Sequence, residues 1–358
     1  MNNHNGNGFN RRVGTLPVIQ SDQGSAKARQ GEEWAGKQST YYNMPLIKKA
    51  HWGWEIILYF FLGGIAGGSF LVSTLADLFN RNEDKNLIRA GRYLSFVCIL
   101  ASPILLIMDL GRPERFHHML RIFKLRSAMS LGTWGISFFG LFCGLATAHQ
   151  MAKDGLLGWF PFAARVFKAL PVKVIESLGA FFGLFVASYT GVLLSSTAVP
   201  IWARAKHILG PLFLTSGVST GLSALSLILS LGRPKHDTLE QLDQAEMIAM
   251  STELGLIASL VPILGTLGKP LFRGKVGWTF TTGTIGVGLI LPLLLKLGWK
   301  LSGRGTSRSL EIGTSTSVLL GGMILRTAWV LAGRTSADRP QDTHLYNALE
   351  WEEGKASR

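Results

Sequence analysis

Glu55, Tyr59, Asp109, Tyr189 and Arg326 are ionisable or hydrogen-bonding side chains that lie inside, or at the ends of, long apolar runs. Glu55 and Tyr59 open the first run, and Asp109 closes the second, followed at once by Leu110-Gly111-Arg112-Pro113-Glu114-Arg115-Phe116-His117. Tyr189 lies in the second half of the fourth run and Arg326 in the second half of the eighth. A charge at mid-depth in a bilayer costs at least about 2.5–3.5 kcal/mol, so these residues need a reason. Followed along alternating crossings, all fall toward the membrane side that carries the termini. Carboxylates, phenols, an imidazole and arginines beside apolar walls suit a flat, lipid-soluble ring with polar edges. Such a ring needs an apolar slot, a hydrogen-bond donor at each carbonyl, and a proton acceptor or donor as electrons move. Those are the needs of a quinone. In this reading Glu55 or Asp109 exchanges the proton, with Arg112 and His117 beside the head group. The plainer use of Glu55 and Asp109 is to mark helix ends beside arginine partners in the headgroup zone.

The elements that must position these groups follow from composition. The chain has 358 residues, 47% hydrophobic and only 16% charged, against roughly 25% charged in ordinary soluble domains. Mean hydropathy is +0.27. These values exclude a soluble enzyme and a disordered chain. Eight apolar segments, 54–79, 88–108, 129–151, 172–198, 208–230, 247–267, 276–297 and 311–332, are each long enough to cross about 30 Å of hydrocarbon at 1.5 Å per residue. They must be helices, because lipid satisfies no open backbone group and the runs are too long for barrel strands. The fold class is therefore an all-α membrane protein with eight transmembrane helices. Residues 1–49 form a polar extramembrane arm, and 334–358 a polar tail. Arg11-Arg12 is no export signal, since no hydrophobic stretch follows it. Trp52, Trp54, Trp134, Trp202, Trp278, Trp299 and Trp329 fall near span ends, as an interfacial belt would place them. The connection 152–171, with Trp159, Phe160 and Phe162, reads as a short interfacial helix.

Other features are assigned by the same logic. Asp77, Glu176, Glu253 and Glu311, within or at the ends of spans, are candidates for a proton path or else buried neutral carboxyls or boundary residues, with Glu176 and Glu253 the better candidates for a path. Arg112, Arg115, Arg121, Lys124 and Arg126 make a basic loop suited to an acidic partner surface or to lipid headgroups. The net charge of +14 needs no nucleic acid to explain it; basic residues held on one membrane side, or an acidic partner, suffice. Lys and Arg number 21 on the terminal side and 14 on the other, a bias toward cytoplasmic termini. None of the eight histidines lies mid-span, where a haem held between helices would need axial ligands. Cys98 and Cys143 cannot assemble an iron–sulfur cluster or zinc site, so electrons come from a partner. The glycines from Gly63 to Gly68, and Gly132, Gly135, Gly321 and Gly322, permit close approach of a helix or a flat ligand, and helix packing is their commoner use. Leu-Gly-Arg-Pro occurs at 110–113 and 231–234, closing the second and fifth spans on opposite faces. An inverted or two-bundle arrangement would account for it.

Five stretches together resemble the NrfD/PsrC family, the membrane quinone-interacting subunits of polysulfide-reductase-like complexes: Trp54 to Gly68, Asp109 to Phe116, Arg126 to Trp134, Ser188 to Pro200, and Gly321 to Gly333. Ala128 and Leu131 depart from that pattern, which often has Pro and Trp there. The resemblance implies two four-helix bundles, 50–200 and 201–333, with a quinone site (menaquinone or ubiquinone) in the first. It matches Tyr59 and Tyr189 to residues that contact the quinone head. It implies an iron–sulfur ferredoxin-like partner subunit and a molybdopterin-type catalytic subunit, in the inner (plasma) membrane of a prokaryote. The chain itself would then be an anchor subunit outside the catalytic core. Such subunits usually serve a partner on the outer face, against the charge bias, so the orientation is open at this point. Two rivals differ in kind: a secondary transporter, whose polar site would lie at the midplane, and a purely structural anchor, which needs no pocket.

Overall fold

A computed structural model describes residues 46–79, 85–232, 236–302 and 307–356. The expected arm up to residue 45, and Arg233 and Pro234 of the second Leu-Gly-Arg-Pro, lie outside the described residues. Eight helices are long and apolar enough to cross a membrane: α1 Trp54–Phe79, α2 Lys85–Met108, α3 Ala128–Lys153, α4 Val172–Ser195, α5 Lys206–Leu231, α6 Asp237–Phe272, α7 Gly274–Leu301 and α8 Arg308–Ala337. Among the described residues there is no strand. This is an integral, multi-pass membrane protein, with spans within a few residues of those the apolar runs mark. The exception is α6, which starts earlier because its first turns, although polar, are wedged against α5 and α7.

Helix α1 is central and packs on α2, α4 and α5, while α5 packs on α1, α4, α6 and α8. Glycine makes this possible. A Cβ on Gly217 would lie 3.1 Å from the Gly64 Cα, and one on Gly221 would lie 2.6 Å from the Ser69 amide. Gly67 meets the Gly183 backbone of α4, and Gly321 of α8 meets Gly288 of α7. The glycine stripes therefore serve helix packing, through the close backbone approach that stands in for a hydrophobic driving force in lipid.

Local irregularities have local causes. Gly274, with φ of +72°, turns the chain sharply between α6 and α7. In α7, Phe280–Ile290 is wound as a π-helix, and Thr284 reaches across to donate to the Gly321 carbonyl at 3.1 Å. The segment Pro161–Lys168 is helical, with Trp159, Phe160 and Phe162 exposed, as expected of an interfacial helix. The tail is more ordered than polarity alone indicates: Pro340–Ala356 is a helix, led by Pro in its first turn.

The tryptophan belt needs correction. Trp54 and Trp278 are exposed, but Trp202 and Trp329 are fully buried. Trp202 Nε1 donates to the Trp329 carbonyl at 2.9 Å, and Trp52 stacks on Trp202 with ring centroids 5.2 Å apart. These rings join α8 to the short helix Pro200–Arg204, which leads into α5, and they belong to the core.

Candidate functional site

The end of the bundle that holds the first residues of α1 and α3 and the last of α2 and α4 encloses a cavity of about 510 Å³. Ile56 and Tyr59 of α1 line one side, Ile99, Pro103 and Leu106 of α2 a second, and Gly132, Thr133 and Ile136 of α3 a third. Tyr189 and Leu193 of α4 complete the wall, with Trp52 and Asp109 near the mouth. Phe116, Met119 and Leu120 close it from the loop between α2 and α3. The lining is mostly apolar, and its polar atoms are few and convergent, as in ligand pockets generally.

Each polar group has a positioning device. Tyr59 stands one turn inside α1 and makes no hydrogen bond to another described residue, so its hydroxyl is available to the cavity. Tyr189 fits because Gly132 has no side chain where its ring lies, and it stacks on Phe185 at 5.5 Å. Its hydroxyl donates to the Ala128 carbonyl in the first turn of α3, and its oxygen, which the Gly132 amide faces, keeps one lone pair toward the cavity. Helix α3 is started there by Ser127, whose side chain accepts from the Ser130 amide. Ser130 in turn donates to Ile122 O at 3.2 Å and accepts from the Lys124 amide at 3.0 Å, tying down the basic loop.

Asp109 follows the last residue of α2, and its Oδ1 accepts from the Gly53 amide at a long 3.5 Å. Burial pushes its carboxyl above the ordinary carboxylate range; the Gly53 amide opposes this, and the neighbouring Glu55 adds to it. Glu55 folds back over Gly53 and does not line the cavity. The cavity thus offers a phenol, a second phenol oxygen and a carboxyl disposed to hold a proton.

Other expected members of this cluster sit elsewhere. Arg112 and His117 are exposed and outside the lining, with His117 against His118 at 4.3 Å between ring centroids. The cause is the turn Pro113–Arg115 and the short helix His117–Arg121, which direct Phe116, Met119 and Leu120 inward. Arg115, Arg121, Lys124 and Arg126 are also exposed, so the segment that roofs the cavity carries the basic surface. Arg326 is buried behind the cavity, between α1 and α5. It donates to the Phe60 carbonyl at 3.1 Å, to Ser216 Oγ at 3.1 Å and to the Gly322 carbonyl at 2.7 Å.

The candidate proton-path residues separate into two places. Asp77 and Glu176 both bond Arg92, at 3.0 Å and 2.5 Å, at the end of the bundle opposite the cavity. Glu253 faces Ser216 and Arg326 instead. Asp77 and Glu176 thus belong to an ion cluster in one half, and Glu253 is a separate carboxylate in the other. Arg92 and Lys296 are what the sequence reading passes over. Both lie inside expected spans, where the desolvation argument applied to Arg326 would have singled them out.

A family model described as "Polysulphide reductase, NrfD" matches residues 44–336. The chain belongs to the NrfD family. The C subunit of polysulfide reductase from Wolinella succinogenes is 27% identical over 303 residues, covering 79% of this protein and 94% of that one. Protein NrfD of Escherichia coli is 30% identical over 271 residues, covering 68% and 84%. The Hdr-like menaquinol oxidoreductase integral membrane subunit of Archaeoglobus fulgidus is 26% identical over 256 residues, covering 66% and 60%. The matched region of this NrfD-family protein contains the first seven spans, the eighth to within one residue of its end, and the whole cavity.

Proposed function

We propose that this protein is the quinone- or quinol-binding membrane subunit of a multi-subunit oxidoreductase, in the inner membrane of a prokaryote. It would exchange electrons with an iron–sulfur partner that in turn serves a molybdopterin-type catalytic subunit. The observation that carries the reading is the shared cavity: Tyr59, Asp109 and Tyr189 line one apolar hollow at a membrane surface. The names of the relatives, one a polysulfide reductase component and one a menaquinol oxidoreductase subunit, agree with it.

The residues fit the ring. Apolar walls from α2 and α3 take its faces, and the Tyr59 hydroxyl donates to one carbonyl oxygen. The Tyr189 oxygen accepts from a quinol hydroxyl, or releases the Ala128 carbonyl to donate to a quinone. The bound ring supplies the two-electron chemistry. Asp109, its carboxyl raised above the ordinary range beside Glu55, exchanges the accompanying proton with the adjacent surface. The basic loop meets the acidic surface of the iron–sulfur partner directly above the cavity, which keeps the electron's path short.

The test is Tyr59→Phe and Tyr189→Phe in the assembled complex. Quinol turnover is expected to fall at least about tenfold in one of them, the scale of a lost hydrogen bond to a reacting group, with complex assembly intact. Wild-type turnover in both removes the pocket assignment.

A further inference from the structure

The cavity leaves unused a second polar feature, which runs through the other half of the molecule. At the end opposite the cavity, Lys296 of α7 is buried and donates to Asp243 and Glu246 of α6 at 2.6 Å each, and to Glu311 of α8 at 3.1 Å. The ammonium sits where the three carboxylates would otherwise hold a metal ion. One ammonium does not neutralise three buried carboxylates, and the surplus negative charge is a place for protons to rest. Glu311 Oε2 is buried with no partner.

From this cluster a row of hydroxyls leads inward along α5. Ser223 donates to Glu246 Oε1, and two turns deeper Ser216 pairs with Glu253 while accepting from Arg326. Both contacts keep one antiparallel register between α5 and α6. By that register Ser219 falls opposite Met250, and Ser226 opposite Asp243. Ser219, Ser226 and Ser230 are fully buried, and their hydroxyls have no protein partner. Most serines and threonines in these spans bond the carbonyl one turn back, as Thr220 does to Ser216 O at 2.8 Å. Buried hydroxyls without partners call for water. Ser216 to Ser230 spans about 21 Å at 1.5 Å per residue, a large part of the roughly 30 Å hydrocarbon core.

We propose that a water-lined proton path runs between α5 and α6, from the far surface at Asp243, past Lys296 and Glu246, to Glu253 at its inner end. It stops at Arg326, which holds the carbonyl of Phe60, the residue next to the cavity's Tyr59. The path thus reaches the back of the cavity wall without opening into it. Its ligand is water carrying protons. Only its use, to move protons between the far surface and the redox site, rests on the proposed quinone function; the path itself does not.

The test is X-ray hydroxyl-radical footprinting of the full chain in detergent micelles, which oxidises side chains that touch water. Met250 has no exposure to bulk solvent. It is expected to be oxidised several-fold faster, relative to its intrinsic reactivity, than the equally buried Phe139 of the first half. The triple variant Ser219→Ala, Ser226→Ala, Ser230→Ala is expected to lower Met250 oxidation while leaving Phe139 unchanged. Protection of Met250 equal to that of Phe139 overturns the path. So does Met250 oxidation that the triple variant leaves unaltered, since water would then arrive by another route. Binding of a fluorescent quinone analogue to the same samples reads the cavity separately, and its loss would indict the quinone reading alone.

Discussion

The two ends of this bundle handle charge in opposite ways. At the far end every buried carboxylate among the described residues is drawn onto a cation: Asp77 and Glu176 onto Arg92, and Asp243, Glu246 and Glu311 onto Lys296. At the cavity end Asp109 has one long hydrogen bond and a like-charged neighbour, Glu55, beside apolar walls. Charges held in pairs contribute to a fixed structure, whereas a carboxyl left beside another carboxyl is poised to change protonation. The two far-end clusters differ again. Arg92 continues outward through Gln150 at 2.6 Å to Asp154, Tyr93 and Arg89, a circuit that ends at the surface. Lys296 continues inward through Glu246 and Ser223 toward Ser219, whose hydroxyl lacks a partner. A knot and a path can begin from the same kind of ion cluster, and what the next residues can bond decides which it becomes.

The largest expected effect breaks the pairing itself. Arg92→Met or Lys296→Met strands buried carboxylates, and each is expected to cost about 3–5 kcal/mol, read as a large drop in thermal stability in detergent. The combined change Arg92→Met, Glu176→Met, Asp77→Asn is expected to recover most of that loss, because the stranded charges are gone. At the cavity end Asp109→Asn is expected to change stability by less than about 1 kcal/mol, the worth of one weak hydrogen bond. Equal losses from Asp109→Asn and Arg92→Met would erase the contrast between the ends.

That contrast was only partly open to sequence reasoning. The spans were legible because each is a long apolar run that lipid forces into helix. The cavity's members Tyr59, Asp109 and Tyr189 were legible because polar groups beside apolar runs are costly enough to mark themselves. Partnership was not legible. Arg92 meets a carboxylate 84 positions away, and Lys296 meets Glu246 50 positions away, and no local pattern encodes such pairs. Depth was misread for the same reason: Trp202 and Trp329 sit near span ends, but a neighbouring helix covers them. Arg112 and His117 carry suitable chemistry, yet the turn at Pro113–Arg115 sends them outward and their apolar neighbours inward.

A middling effect concerns the roof of the cavity. Arg115→Glu with Lys124→Glu reverses two exposed charges on the segment that also supplies Phe116, Met119 and Leu120. If this surface docks an acidic iron–sulfur subunit, co-purification of that subunit is expected to weaken at low salt, and the loss of retention with rising salt seen for the unaltered protein is expected to flatten. Full retention at moderate salt assigns the loop to lipid headgroups instead. The stability of the isolated protein should stay within about 0.5 kcal/mol, since both residues are on the surface.

The smallest effect is the most specific to the cavity end. Burial and Glu55 hold the Asp109 carboxyl above the ordinary range, against the Gly53 amide and the neighbouring His51 and Arg334. When Asp109 accepts the proton released by a quinol it must be ionised, so turnover is lost as pH falls through its raised pKa. Glu55→Gln removes a like charge and makes ionisation easier, which moves this acid limb to lower pH. Arg334→Gln removes an opposite charge and moves it to higher pH. The measurement is the pH profile of quinol turnover in the assembled complex for each variant. Opposite displacements identify Asp109 as the titrating group. A limb that both variants leave in place means that another acid governs the proton step, and the like-charged pair at the cavity mouth is then no more than a helix end.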